Sequence, residues 1–368
     1  MSTIKVNTIQ TAAGTGSLTV PAETGTVVTT ASPSLGRRNL IINGAMQVAQ
    51  RGTSFANGEY SVDRFYVGSV GTLAVTQDSD APDGYNQSLK LSVSSTATPA
   101  SNQANQIRHF IEGYNTSHLN YGTSSAQDVT ISFWVKSSIA GQYSIALRNN
   151  DASRFRPQSY TINSTNTWEY KTITIAGDTT GTWATDNTIG LGLHFGFGAG
   201  VDRREPSGSW TSSLAFGSDG DVVLTETSGA TFYLTGVQLE VGSVATPFEH
   251  RSYGEELALC QRYFHKLSRD YNNGIIGSGY FYANTTCRGF IPMPTTMRSY
   301  PSVSHGDVTD VRCGYGGGSS AASGFAGLDG ATKSGVWVGY TTSSGTQGHG
   351  ALLYMYPDDP EISFDAEL

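Results

Sequence analysis

The stretch QDVTISFWVKSS, residues 127–138, alternates apolar and polar side chains along its length. Ile131, Phe133 and Val135 share one face, and Ser132 and Trp134 lie on the other. A side-chain period of two is that of a β-strand with one buried face. Similar short runs follow at regular intervals, among them TWEYKTITIAGD and ATFYLTGVQLEVG, separated by Gly, Asn, Asp and Ser. This pattern predicts a jelly-roll-like β-sandwich over residues 37–250.

The composition agrees with a mainly β protein that has many loops. Charged residues make up 14% of the 368 residues, Gly accounts for 44, and the net charge is −8. Aromatic residues make up 11%, which argues against a disordered chain. The largest basic groups are RR at 37–38 and DRRE at 202–205, so the sequence predicts no nucleic-acid partner.

The N-terminus has one lysine and no apolar core, which predicts no signal peptide. No run approaches the roughly 18 apolar residues of a membrane helix, so we expect no membrane insertion. The three cysteines, Cys260, Cys287 and Cys313, lack metal-ligand spacing. They are expected to be buried, reduced thiols in a protein made in a cytoplasm.

Three further segments flank or follow the sandwich. Residues 1–36 hold two short alternating runs with too little apolar area to fold alone, which favours an attachment or trimerisation segment over a floppy tail. Residues 251–267 predict a connector helix, with a capping box from Ser252 to Glu255 and a stripe of Tyr253, Leu257, Cys260 and Phe264. Residues 268–368 return to short strands and predict a smaller C-terminal β domain.

A search for catalytic motifs finds none of the common metalloprotease, nucleophile-elbow, P-loop or dinucleotide signatures. Paired carboxylates suit glycoside hydrolysis, but the local pairs lie in turns where Asp is common for conformational reasons. These pairs are Asp78 with Asp80, Asp219 with Asp221, and Asp358 with Asp359. The sequence therefore predicts that the protein is not an enzyme and that it requires no cofactor.

A structural Ca²⁺ is an alternative that the sandwich leaves open. Asn43 in the expected first strand, with Gln238 and Glu240 in the last, would offer oxygen ligands where those strands meet. Ordinary polar residues of edge strands are the competing interpretation of the same three residues.

Aromatic side chains in loops and on outward strand faces supply surfaces for binding sugars. The candidates are Trp134, Trp168, Trp183, Trp210, Trp337 and Tyr340, with Tyr170 near the same loops. Each could instead anchor a loop or fill a core.

Several stretches resemble known proteins. IKVNTIQTAAGTGSLTVPAETGTVVTT resembles the N-terminal segment of tail-fibre proteins from tailed bacteriophages. RRNLIINGAMQVAQRGTS, YSVDRFYV and FYLTGVQLEVGSVATPFEHRSYGEELALCQRYF resemble a block of phage tail-fibre and receptor-binding proteins, and FIPMPTTMRSYPSVS and ISFDAEL resemble the matching C-terminal domain.

The resemblance implies a homotrimeric fibre in the virion, assembled in the bacterial host cytoplasm. It implies attachment to a tail, adaptor or neck protein through residues 1–36, and contact with the host through the C-terminal domains. It also implies a carbohydrate-binding-module-like sandwich. The partner is then a host-surface glycan or an envelope protein, adsorbed without cleavage. Two alternatives remain: a capsule-degrading tailspike-type hydrolase, for which no parallel β-helix repeat is seen, and a purely structural virion appendage.

Overall fold

The computed structural model describes residues 37–268, 274–316, 318–356 and 361–368, together with the backbone of 8–10 and 17–19. The chain divides into two compact units, Met1–Arg38 and Asn39–Leu368. In the first unit, β1 (Thr8–Gln10) pairs antiparallel with β2 (Ser17–Thr19). One strand is therefore described in each of the two N-terminal alternating runs. The attachment and trimerisation roles expected for 1–36 otherwise fall outside the described residues.

The second unit contains the remaining strands and one α-helix among the described residues. The strands before the helix are β3 (Ser54–Phe55), β4 (Glu59–Tyr60), β5 (Phe65–Gly68), β6 (Thr72–Asp78), β7 (Ser88–Ser95), β8 (Ala104–Glu112), β9 (Val129–Ser137), β10 (Gly141–Arg148), β11 (Phe155–Ile162), β12 (Glu169–Ile175), β13 (Ile189–Ala199) and β14 (Thr231–Val241). The helix is α1 (Tyr253–Gln261). The strands after it are β15 (Phe264–Ser268), β16 (Gly274–Ala283), β17 (Thr286–Pro292), β18 (Ser302–His305), β19 (Val311–Tyr315), β20 (Gly318–Thr332), β21 (Gly335–Thr342), β22 (Gly350–Met355) and β23 (Glu361–Asp365). Short 3₁₀ turns cover Gly113–Asn115, Ser117–Leu119, Val201–Arg203, Leu224–Glu226 and Val308–Asp310.

Two antiparallel sheets of six strands form the sandwich. Sheet I has the order β11-β10-β13-β8-β5-β4, and sheet II has the order β12-β9-β14-β7-β6-β3. Ile131, Phe133 and Val135 are fully buried in the core shared by both sheets, as the alternation in β9 predicts, but Ser132 and Lys136 on the opposite face are buried as well. Phe133 meets the rings of Tyr160 and Phe195 from sheet I edge-on, each with a centroid separation of 5.1 Å. Burying one such side chain contributes about 1.5–3 kcal/mol.

Helix α1 begins where the sequence predicts. The Ser252 hydroxyl accepts from the Glu255 amide, and the Glu255 carboxylate accepts from the Ser252 amide, which satisfies donors that a helix start leaves unpaired. The helix is shorter than the expected 251–267, because Phe264–Ser268 forms a strand that pairs with β23. Phe264 was therefore wrongly assigned to the helical stripe.

Beyond the helix, β15, β23 and β18 form a three-stranded sheet, and β16-β17-β21-β20-β19-β22 closes into a six-stranded barrel. Closure pairs the strand edges that an open sheet would expose. The barrel interior contains Cys287 and Cys313, and Cys260 is the buried residue of helix α1; all three are free, as expected. No helix among the described residues is long and apolar enough to span a membrane.

A buried polar network joins the sandwich to the C-terminal elements. The Glu112 carboxylate at the end of β8 accepts from Arg262 Nε and Nη2 at 2.9 and 2.6 Å, and from the Tyr263 hydroxyl at 2.9 Å. Arg64 is almost fully buried, stacks 3.5 Å over the Tyr263 ring and forms an ion pair with Glu367. Because a buried charge is costly without a partner, these contacts couple the packing of the two parts.

The predicted fold class is confirmed: the protein is mainly β, with a jelly-roll-like sandwich, one connector helix and a smaller C-terminal β domain. The sequence does not indicate that six of the C-terminal strands close into a barrel and that three others form a separate sheet.

Candidate functional site

Trp134 and Tyr170 form the centre of an aromatic groove on the outer face of sheet II. They lie directly opposite one another in the pairing of β9 with β12, and their ring centroids are 5.3 Å apart at an interplanar angle of 47°. The alternation that buries Phe133 and Val135 sends Trp134 outward. Tyr170 is 44% exposed, so a solute can reach its ring.

A β-bulge in the neighbouring strand β14 brings a third ring into the groove. The pairing with β9 shifts between Thr235 and Gln238, and Gly236 has a φ of 62°. A Cβ at Gly236 would lie 2.8 Å from the Tyr85 ring and 3.0 Å from Trp134. Only glycine therefore allows both rings to approach the strand this closely, and it adopts the left-handed backbone without strain.

The loop after β14 forms the far wall. Phe248 packs edge-on against Tyr85 at a centroid distance of 5.2 Å, and the exposed Val244 lies at the rim. Ser132 and Thr172, which are cross-strand partners, line the floor; Thr172 is exposed, whereas Ser132 is almost fully buried. The groove has a volume of about 700 Å³, within the range of roughly 300–1,000 Å³ of small-molecule sites.

This arrangement offers apolar ring faces next to hydroxyl donors and acceptors. Burial, with a smaller contribution from the nearby Tyr170 phenol, raises the pKa of Tyr85 to about 12. The Tyr85 hydroxyl therefore stays protonated at neutral pH and can both donate and accept a hydrogen bond. A sugar ring, with apolar C–H faces and hydroxyl edges, matches such a surface.

Trp168 lies on the same outer face, but its ring is already engaged by the protein. Its indole N–H donates to Asp80 at 3.0 Å, and the Lys136 ammonium lies 5.1 Å from the ring centroid. Lys136 also forms an ion pair with Asp80. Trp168 therefore holds a local cluster beside the groove.

Trp183 and Trp210 anchor loops at one end of the core. Their ring centroids are 5.5 Å apart in a T-shaped contact, and both rings meet Tyr121 edge-on. The indole N–H groups donate to the carbonyls of Thr180 and Ala176. The cavity beside Trp183 has a volume of only about 170 Å³, below the usual size of a ligand site.

The two C-terminal candidates separate. Trp337 is 39% exposed on the barrel surface and lines an open depression of about 490 Å³ with Tyr280 and Phe290. Tyr340 is fully buried, and its hydroxyl lies 2.9 Å from Nε2 of His305. Tyr340 is a core residue of the barrel, so its expected role in a sugar-binding surface is wrong.

The side chains of the three calcium candidates are engaged by hydrogen bonds within the protein. Asn43 lies in a turn with φ 61° rather than in a strand, and its side chain bonds to Val48 and Asp63. The Gln238 side chain donates to Glu240 at 2.9 Å, and both Glu240 oxygens accept from Thr246. These oxygens are thus occupied by protein donors. The described residues contain no cluster of three or more His, Cys, Asp or Glu side chains that could hold a metal ion.

The local carboxylate pairs are engaged in ordinary contacts. Asp78 bonds to Lys90 at 2.9 Å; burial raises its pKa, but the Lys90 hydrogen bond and the Asp80 amide outweigh burial and lower it overall. The Lys136 hydrogen bond lowers the pKa of Asp80. Asp219 is exposed, Asp221 accepts from Gln142, and Asp358 and Asp359 lie outside the described residues.

Three groove residues, Tyr85, Phe248 and Gly236, are not among the residues that the sequence predicts. The signal for Gly236 was present, because an isolated glycine inside the strand pattern TFYLTGVQLEV indicates a bulge. Tyr85 and Phe248 come from loops that are far apart in sequence, and no local pattern brings them together.

No protein-family model matches this sequence, and no curated protein matches it. Similar solved structures include the enzymatically active domain of tailspike protein 4 from bacteriophage CBA120, with 15% identity over 55% of this chain and 21% of that chain, at a TM-score of 0.30. They also include the CBM22-1–GH10 modules of xylanase 10B from Clostridium thermocellum, with 9% identity over 53% of this chain and 30% of that chain, at a TM-score of 0.29.

A third similar structure is the carbohydrate-binding module TmCBM61 in complex with β-1,4-galactotriose, with 10% identity over 56% of this chain and 99% of that chain, at a TM-score of 0.29. This chain thus covers less than a third of the tailspike and xylanase chains. At these identities and TM-scores, the likenesses carry no function from those proteins to this one.

Proposed function

We propose that this protein is a glycan-binding component of a bacteriophage fibre, and that it adsorbs to a host-surface glycan without cleaving it. The observation that carries the proposal is the aromatic groove, in which the outward Trp134 and the exposed Tyr170 lie in one lining with the exposed Thr172. The groove needs no metal or cofactor to recognise a neutral sugar.

The carboxylates on the same side of the sandwich as the groove favour sugar binding over sugar hydrolysis. A general acid for glycoside hydrolysis needs a raised pKa, whereas the pKa values of Asp78, of Asp80, which accepts a hydrogen bond from Trp168, and of Glu169 are lowered. The phage part of the proposal rests on the resemblance of the N-terminal, central and C-terminal stretches to tail-fibre proteins. A homotrimer would present three copies of the groove and raise apparent affinity through effective concentration.

The test uses the purified full chain, labelled and titrated onto intact host cells, with the surface polysaccharide sized before and after. Saturable binding that blocks phage adsorption and leaves the polysaccharide length unchanged is the expected result. Release of short oligosaccharides would refute the non-cleaving role. No binding by the folded protein would refute host adsorption and favour a structural appendage.

Two variants place the binding in the groove. Trp134→Ala and Tyr170→Ala remove ring faces, and each is expected to weaken binding about 30-fold, the equivalent of about 2 kcal/mol for a central aromatic contact. Tyr114→Ala is the matched control, because Tyr114 is 62% exposed and does not line the groove. If Trp337→Ala abolishes binding while both groove variants bind normally, the site is on the barrel.

The attachment role of residues 1–36 is tested separately. A chain that begins at Arg37 is expected to fold and to bind glycan, but to be missing from purified particles. Its normal incorporation into particles would refute the role of 1–36.

A further inference from the structure

Two neighbouring arginines, Arg108 and Arg148, lie on the outer face of sheet I without forming ion pairs to described residues. Among the described residues, neither guanidinium has a carboxylate within ion-pair distance. Both lie against the same ring: their central carbons are 5.1 and 4.7 Å from the centroid of Phe110. Two cations this close together repel one another when neither has a carboxylate partner, so the proximity of the two arginines requires an explanation.

Arg108 is held by stacking alone. Its guanidinium lies 3.8 Å over the Tyr66 ring, and Nε is buried without a hydrogen-bond partner among the described residues. Stacking fixes the plane of the guanidinium and leaves its N–H edges directed away from the ring. An edge with two parallel donors fits two oxygens of a carboxylate or a phosphate.

Arg148 is oriented through His194. Burial first, and repulsion from Arg148 and Arg108, lower the pKa of His194 well below its usual value, so the ring is neutral. Arg148 Nε lies 3.3 Å from Nε2 of His194, and because arginine can only donate, Nε2 accepts. Nδ1 then carries the proton and donates to Gln106 at 2.6 Å. Nη1 of Arg148 donates to the carbonyls of Asn149 and Asn150 at 2.9 and 3.1 Å, so these carbonyls and the neutral histidine together position Arg148.

The backbone makes room for this arrangement at Gly192, the cross-strand partner of both Arg148 and Phe110. A Cβ there would lie 3.0 Å from the Arg148 side chain and 3.1 Å from the Phe110 ring. Burial and repulsion from Arg108 lower the pKa of Arg148 to about 10, which leaves it charged at neutral pH. Asp151 offsets part of that repulsion without forming an ion pair.

We infer that Arg108 and Arg148 form a second binding site, on the sheet opposite the aromatic groove, for the oxyanion group of an acidic sugar. The stacked guanidiniums bind the carboxylate or phosphate, and Tyr66 offers an apolar edge to the sugar ring. This inference does not depend on the function proposed for the groove.

The test is calorimetric titration of the full chain with methyl glucuronoside, glucose 6-phosphate and methyl glucoside at low salt. At least one anionic ligand is expected to bind tenfold or more tightly than the neutral glucoside, and the two anionic arms distinguish a carboxylate from a phosphate. Equal binding of all three ligands, or no binding of either anion, would overturn the inference.

Arg108→Gln and Arg148→Gln are each expected to weaken binding of the anionic ligand at least tenfold. Arg108→Lys is expected to have an intermediate effect, because lysine keeps the positive charge but lacks the two parallel N–H donors of arginine. Arg203→Gln is the matched control, since within the described part of the chain its side chain donates to the neighbouring Asp202 carbonyl. Trp134→Ala is expected to leave anion binding unchanged, so the two sites can fail independently. Unchanged anion affinity in both glutamine variants, with circular dichroism confirming their fold, would also overturn the inference.

Discussion

Replacing Glu112 with Gln tests whether the buried polar network holds the sandwich and the C-terminal elements together. The Glu112 side chain is 1% exposed and accepts three hydrogen bonds, two of them from Arg262 and one from Tyr263. Glutamine has the same shape, but it is neutral, and one of its two polar termini is a donor. At least one of the three contacts then becomes a donor facing a donor.

The magnitude follows from what is left behind. Removing one member of a buried ion pair typically costs about 3–5 kcal/mol, because the partner loses its counter-charge. Arg262 is 30% exposed and still donates to the Thr296 carbonyl, so solvent relieves part of that loss. We therefore expect a loss near the lower end, about 3 kcal/mol in the free energy of unfolding. For a two-state unit of this size, that lowers Tm by about 4 °C.

The assay is equilibrium unfolding in urea, followed by tryptophan fluorescence, with calorimetry for Tm. Glu226→Gln is the matched control, because Glu226 is an exposed carboxylate outside the network, and a change below about 0.5 kcal/mol is expected there. A double-mutant cycle with Arg262→Met should show a coupling of about 1–3 kcal/mol. If Glu112→Gln unfolds within about 0.5 kcal/mol of the parent, the network does not hold the two parts together.

Three further predictions concern the groove, the buried histidines and the helix start. Gly236→Ala should cost about 1–2 kcal/mol of left-handed strain and also weaken glycan binding, whereas Gly229→Ala, which has a φ of 75° and open space around its Cβ, should show only the strain. Burial lowers the pKa of His109 and His194 well below 6.5, so only the unfolded chain takes up their protons as the pH falls. The free energy of unfolding should therefore have its full value above pH 6.5 and should fall below that pH by up to about 1.4 kcal/mol per pH unit for each histidine. A Tm profile that is equally steep in the variant with both histidines replaced by Gln would contradict this. Ser252→Ala should destabilise α1 by about 1 kcal/mol, seen as faster amide exchange in its first turn but not in the barrel.

The sequence predicts local features well and long-range ones poorly. The outward position of Trp134 follows from strand alternation, and the capped start of α1 follows from two residues three apart. The strand at Phe264 was missed because it pairs with β23, about a hundred residues later. The burial of Tyr340 was missed because it depends on barrel closure. Tyr85 reaches the groove because the glycine at the Gly236 bulge leaves room for its ring, and no local sequence pattern indicates the contact between these two residues.

The ion pair between Arg64 and Glu367 also has a consequence for folding during synthesis, because it can form only after Glu367 has been translated. The two residues are 303 positions apart in the chain. At a translation rate of about 5–20 residues per second, Glu367 leaves the ribosome's catalytic centre roughly 15–60 s after Arg64. Throughout that interval the nascent sandwich contains an arginine that its own strands do not neutralise. The sandwich therefore reaches its final stability only after Glu367, which follows strand β23, has been translated.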